Sequence, residues 1–171
     1  MARPRIYLAN PLGFSELGRI ALDEIRARLE IHFDVIEPFA YSADLGAQLQ
    51  KLALLQLPLA AQKEKMQAIN HQIGERNIQA LAKIDLVVAI LDEADPGTAA
   101  EVGYAFALGK PIWGYYGDFR LKGDNPATWV NLQVQYFVEA SGGKMCLTLE
   151  ELLGQLNRWR NEAWTGAQGE P

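Results

Sequence analysis

Three acids, Asp92, Glu93 and Asp95, follow directly on the apolar run LVVAIL at residues 86–91, and Glu101 lies just beyond the turn Pro96-Gly97. Carboxylates can attack a sugar carbon or trade protons beside one, so this cluster is a candidate reaction centre. In this reading Thr98 opens a helix and Glu101 falls in its first turn, where the helix dipole favours a charged carboxylate. The small neighbours Gly97, Ala99, Ala100 and Gly103 leave room above it. Thr98-x-x-Glu101 also matches a capping box, in which the Glu only closes on the helix's own backbone. Ligands gather at the carboxyl ends of strands in open α/β sheets, and that position favours the nucleophile over the cap. Asp92 and Asp95 have an ordinary role as turn formers. As a functional pair they would raise each other's pKa and hold a proton near neutrality, with Asp95 the better acid. Asp85, before the strand, belongs to the other end of the sheet and reads as structural.

Other residues carry weaker signals. Tyr7 reads by periodicity as a core aromatic, and Asn10-Pro11 as a turn. Asp118 and Arg120 fit a surface ion pair and a ligand clamp equally well. Asn131 reads by itself as a turn residue. The two histidines, His32 and His71, are far apart and in no metal-ligand spacing, so no metal and no cofactor is expected.

The elements that must position these groups alternate. Strands are predicted at residues 6–9, 33–37, 86–91, 111–116 and 135–139. Ser15 caps a first helix whose apolar face combines Leu17, Ile20, Leu22, Ile25 and Leu29. Residues 43–83 are helical, broken by Pro58 and weakened at Gly74. A helix over 99–108 ends at Gly109 as its C′ residue, and a last amphipathic helix covers 149–159. Such alternation predicts one α/β domain over residues 1–164, a doubly wound (Rossmann or flavodoxin-like) parallel sheet of five strands flanked by helices. Residues 165–171 read as a frayed tail.

The chain has 171 residues, 49% of them hydrophobic, and a net charge of −5. That is enough for a sizeable core and offers no basic face for a nucleic acid polymer. A single cysteine, Cys146, rules out an intrachain disulfide. There is no apolar leader ahead of the first strand and no run near the ~20 residues that cross a bilayer. A cytoplasmic protein without membrane attachment is expected.

Taken in order, YLANP at 7–11, Asn77-Ile78, DLVVAILD at 85–92 and above all DPGTAAEVGYA at 95–105 resemble the nucleoside 2-deoxyribosyltransferases. The likeness continues through LGKP at 108–111, Asp118-Phe119-Arg120 and VNL at 130–132, and ends near Glu139. It implies ping-pong exchange of nucleobases on 2-deoxyribonucleosides, with free purine or pyrimidine bases as partners. Glu101 would then be the nucleophile that forms a deoxyribosyl ester, Asp95 the acid that handles the base, and Tyr7 the group that holds Glu101. Asn131 matches an Asn lent by a neighbouring subunit, which implies a homo-oligomer, a dimer or an assembly of dimers, with shared sites. Candidate substrate-binding residues are Asn10, Asn77, Asp92 and Gly97, with Asp118, Arg120, Asn131 and Gln133 on the later segments. One departure stands out: Asn77 occupies a place where many members have an Asp, and an amide cannot supply a proton.

Four rival readings compete with this one. Hydrolysis of deoxynucleoside 5′-monophosphates would need a phosphate cradle after the first strand, where this chain has apolar Leu12 and Phe14. The PGTAAE turn is similar to that of the cytokinin-activating phosphoribohydrolases, but lacks their extra glycine. A catalytically silent nucleotide-binding module remains open. A receiver-type signalling domain would want acids where the first strand here ends in Asn10.

Overall fold

The computed structural model describes residues 3–164; the tail expected over 165–171 lies outside the described residues. Five strands form one sheet: β1 (Arg5–Ala9), β2 (Asp34–Ile36), β3 (Leu86–Ile90), β4 (Ile112–Tyr115) and β5 (Met145–Cys146). All pairings are parallel and the order is β2-β1-β3-β4-β5. This is the flavodoxin-like order, whose direction reverses between β1 and β3, and ligands bind at that switch point.

Side chains alternate across each strand and so feed two cores. Ile6, Leu8, Val88, Ile90 and Trp113 meet α1 (Glu16–Glu30) and α7 (Leu149–Trp159) through Leu22, Ile25, Leu29, Leu152 and Leu156. Tyr7, Ala9, Val87 and Ala89 face the other way, toward α4 (Leu59–Lys83), α5 (Pro96–Ala107) and α6 (Leu132–Ala140). Strand parity alone therefore aims Tyr7 at the helix that carries Glu101. Asp85 accepts from the Arg5 amide at 2.7 Å, at the amino end of the sheet.

Several local expectations shift. Leu17 and Ile20 of α1 are exposed; only Leu22, Ile25 and Leu29 reach the core. Two helices, α2 (Pro38–Tyr41) and α3 (Ala43–Leu54), precede α4, and Gly74 passes without a break, on an open helix face. The strand expected over 135–139 is a helix instead: Asn131 caps α6 by accepting from the amides of Gln133 and Val134. Val134, Tyr136, Phe137 and Val138 are good strand formers, but Gln135 and Val138 turn inward together with helical spacing. The fifth strand is only Met145–Cys146. Gly109 has φ +68°, and the Lys110 and Gly109 amides close back on the carbonyls of Ala105 and Phe106, a Schellman end to α5.

Candidate active site

The helix start beyond β3 differs from its sequence reading. Pro96 takes the first helical position, Asp95 is the N-cap, and Asp95 Oδ1 accepts from the Thr98 amide at 2.8 Å and the Thr98 hydroxyl at 2.7 Å. The Thr98–Glu101 capping box does not form, because Pro96 starts the helix early and moves Glu101 into its second turn. Its carboxylate points instead to β1.

There Tyr7 donates its hydroxyl to Glu101 Oε1 at 2.5 Å, and Asn77 Nδ2, from α4, donates to the same oxygen at 3.4 Å. Oε2 receives no hydrogen bond from the described residues. Burial pushes the Glu101 carboxyl up to about 7; the Tyr7 hydrogen bond opposes this, while the charges of Asp95 and Glu37 add to it. Burial is the largest of these influences on Glu101. The Tyr7 phenol is raised too, first by burial and then by the Glu101 charge.

These groups open into a cleft of about 360 Å³, within the usual range for a small-molecule site. Of the residues singled out in the sequence, Asn10, Asn77, Asp95, Gly97 and Glu101 line it. Phe14, Phe39, Ser42, Leu49 and Ile73 complete the walls, and no Lys or Arg is among the lining residues. Phe14 is 74% exposed and meets Phe39 edge-on, with centroids 4.8 Å apart. A side chain at Gly13 would collide with the Phe39 ring, so the loop after β1 can bring Phe14 to the cleft only with glycine there.

Glu37 is the acid that sequence reasoning missed. It is buried, caps α2 by accepting from the amides of Phe39 and Ala40, and accepts from Asn10 Nδ2 at 3.2 Å. Asn10 also donates to the Leu8 carbonyl and accepts from the Leu12 amide, which locks the ends of β1 and β2 together. An acid at a strand end followed by proline was the available signal, the same punctuation that marks Asp95-Pro96.

The remaining candidates lie elsewhere. Asp92 turns away from Asp95 and accepts from the amides of Gly117 and Asp118, at 3.1 and 2.6 Å, tying the end of β3 to that of β4. The expected Asp92–Asp95 pair therefore does not meet. Asp118 is gripped by Arg120 and Lys122, each at 2.6 Å, and the first of these holds its carboxyl furthest below the usual range. Glu93, at φ +55°, pairs with the same two cations. Asn131 borders a second cavity, of about 210 Å³, that shares no lining residue with the Glu101 cleft, and Gln133 is exposed on α6. Among the described residues no His/Cys/Asp/Glu cluster suits a metal, and no helix is long and apolar enough to cross a membrane.

Residues 6–147 match the sequence profile of the family described as nucleoside 2-deoxyribosyltransferase. No curated protein matches the chain significantly. Among solved structures, a conserved protein from Enterococcus faecalis V583 is 24% identical, with TM-score 0.57, over 92% of this chain and 99% of that one. A 2-deoxyribosyltransferase from Bacillus psychrosaccharolyticus is 16% identical, with TM-score 0.58, over 87% and 90%. The Clostridium botulinum CMP N-glycosidase is 17% identical, with TM-score 0.50, over 90% and 98%. At these identities the structures share the fold.

Proposed function

The chain belongs to the nucleoside 2-deoxyribosyltransferase family, and from that premise we propose that it exchanges nucleobases on 2-deoxyribonucleosides through a covalent intermediate on Glu101. The observation that carries this reading is the Glu101 carboxylate itself: half-buried, free of any cationic partner, and held by Tyr7 and Asn77 on one oxygen only.

Glu101 attacks the anomeric carbon as the glycosidic C–N bond breaks, and the electron pair leaves on the base. Asp95, at the cleft wall, exchanges the proton that the departing base gains. An incoming base nitrogen then displaces Glu101, loses its proton, and regenerates the carboxylate. Asn77 steadies Oε1 and donates no proton. Phe14 offers an open aromatic face on which a base can stack.

Asp118, Arg120, Asn131 and Gln133 do not reach this cleft within one chain. We assign Asn131 to a neighbour's site in a homo-oligomer built on dimers, a reading supported by the exposed apolar side chains of Leu132 and Tyr136 beside it. Mixing inactive Glu101→Gln subunits with inactive Asn131→Ala subunits should restore part of the activity if sites are shared. Failure despite demonstrated mixing removes the shared site.

Hydrolysis of 5′-monophosphates is the second reading. It shares the attack by Glu101 and replaces the incoming base by water, but a phosphate would meet a cleft lined by carboxylates and no cation. The deciding experiment incubates each deoxyribonucleoside with its own isotopically labelled base. Label entering the nucleoside faster than free deoxyribose appears supports the transferase. Free sugar without label entry supports the hydrolase, and neither supports a binding module.

A further inference from the structure

Glu37 is a buried acid beside the cleft that the proposed reaction leaves unused. It is only 4% exposed, one residue beyond the Ile36 that lies opposite Tyr7 in the sheet. Three N–H groups point at its two oxygens: the Phe39 amide at 3.1 Å, the Ala40 amide at 2.8 Å and Asn10 Nδ2 at 3.2 Å. That is the bonding of an ionised group, which only accepts. None of the three donors is a cation. Glu37 also borders a separate cavity of about 380 Å³, which shares Phe39 with the cleft and holds Arg19 and Arg26. Arg26 is paired with Asp23 and Glu30, and Arg19 gives its Nε to the Gly13 carbonyl.

Burying a charge without a cation is costly, and neutral Ser, Thr or Asn would cap the short helix α2 equally well. Capping therefore does not explain the charge. The groups that Glu37 holds belong to the cleft: Asn10, tied also to the Leu8 carbonyl and the Leu12 amide, lines it, and so does Phe39. Glu37 itself is not in the lining, so it acts on a ligand there through these residues or through space. Its charge does reach the reacting groups. Burial comes first among the causes that raise the Glu101 carboxyl and the Tyr7 phenol, and Glu37 is among the charges that raise both. Asp95 adds to the same field at Glu101, and Asn77 brings no charge.

A negative field in a cleft without cations discriminates between the charge states of what it holds. The nucleoside is neutral, whereas the sugar gains positive charge as its C–N bond breaks. An interaction stronger in the transition state than in the bound substrate raises kcat rather than affinity. Repulsion between Glu37 and ionised Glu101 is relieved at the same moment, as Glu101 gives its electron pair to the new C–O bond. Resting on the reading of this cleft as a deoxyribosyl-transfer site, we propose that Glu37 is a positioning residue: it fixes Asn10 and Phe39, and its charge favours the cationic sugar over the neutral nucleoside.

Two sugar-ring analogues read this without turnover. One is a pyrrolidine that copies the deoxyribose ring with nitrogen in place of its oxygen, protonated at neutral pH; the other is the matching uncharged tetrahydrofuran. Calorimetry on the Glu101→Gln protein keeps the nucleophile's own charge out of the comparison. The cation should bind at least about tenfold more tightly than the neutral ring. Adding Glu37→Gln should cut that ratio at least about fivefold and leave the neutral ring's affinity in place. Adding Glu37→Asp, which keeps the charge, should preserve the ratio. If Glu37→Gln does not fold, Glu37→Asn removes the same charge with a favoured cap. With Glu101 intact, Glu37→Gln should lower kcat for base exchange about tenfold and leave KM nearly unchanged. No preference for the cation, a ratio that ignores Glu37, or equal weakening of both rings overturns the inference. A ratio that depends on Glu37 in a protein that exchanges no base defeats the transferase and leaves the field of Glu37 standing; exchange with a ratio that ignores Glu37 does the reverse.

Discussion

Two acidic clusters sit at the carboxyl edge of the same sheet and are built on opposite principles. Around Glu101 the carboxyl groups are enclosed, share no cation, and the central one is pushed up to about 7. Around Asp118, Arg120 and Lys122 hold the carboxylate firmly charged, with Glu93 completing an exposed network. A carboxylate neutralised by guanidinium has its lone pairs and charge engaged; one kept from cations stays available to form a bond. In the sequence the two are interleaved, because Glu93 and Asp95 stand in one short run of acids after β3 and only the fold parts them.

The comparison is broken most severely at Glu101. Glu101→Gln keeps an oxygen that can accept from Tyr7 but abolishes the charge, so base exchange should fall by at least about a thousandfold with the fold intact. Retention of a tenth of the activity would make Glu101 structural. Tyr7→Phe removes the donor and leaves packing, so kcat should fall by about ten- to a hundredfold, as expected for loss of one positioned hydrogen bond to a charged group. An unchanged kcat would mean that the hydroxyl does not position the nucleophile.

Proton linkage gives the next test. Attack needs ionised Glu101, so activity should rise with pH through about 7. Stability runs the other way. A carboxyl group raised on folding binds more protons native than unfolded, so its contribution declines as pH climbs from the unfolded value of 4.5 to about 7. That loss is up to roughly 3 kcal/mol. Glu101→Gln should therefore melt progressively higher than the wild type as pH is raised from 5 to 8, and parallel melting curves across that range would contradict a buried, raised carboxyl. The smallest effect belongs to the other cluster. Arg120→Ala should shift the melting temperature by no more than about 2 °C, as exposed ion pairs do. It should also leave the Glu101 pH midpoint in place; a displaced midpoint would show that the clusters are coupled.

What the sequence disclosed depends on how local each feature is. The apolar runs of β1 and β3, the Schellman glycine at 109 and the proximity of Asp95 to Glu101 are each written within a dozen residues. Tyr7 was legible as a core aromatic, and only strand order turns its ring toward α5. Helix α6 was misread because its β-branched and aromatic residues carry strand propensity, and burial of Gln135 and Val138 outweighed it. Glu37 and Ser42 were passed over because each looks like punctuation around Pro38. Ser42 reaches the cleft wall, and Glu37 reaches Asn10 beside it, only because β2 lies against β1 and α2 follows directly on it.

The Tyr7–Glu101 hydrogen bond joins residues 94 positions apart, one on β1 and the other on α5. At about 5–20 residues per second, a ribosome that has just delivered Tyr7 needs roughly 5–20 s to deliver its partner. The central pairing of β1 with β3 has to wait equally long, and such distant pairings are slow even in a finished chain. During that interval the emerging segment offers β1 with one edge uncovered, and its natural guard is β2, which arrives sooner and pairs on the other side. The reactive carboxylate thus meets its hydroxyl only after the third strand has been made, and a chain cut short before that strand carries no working site.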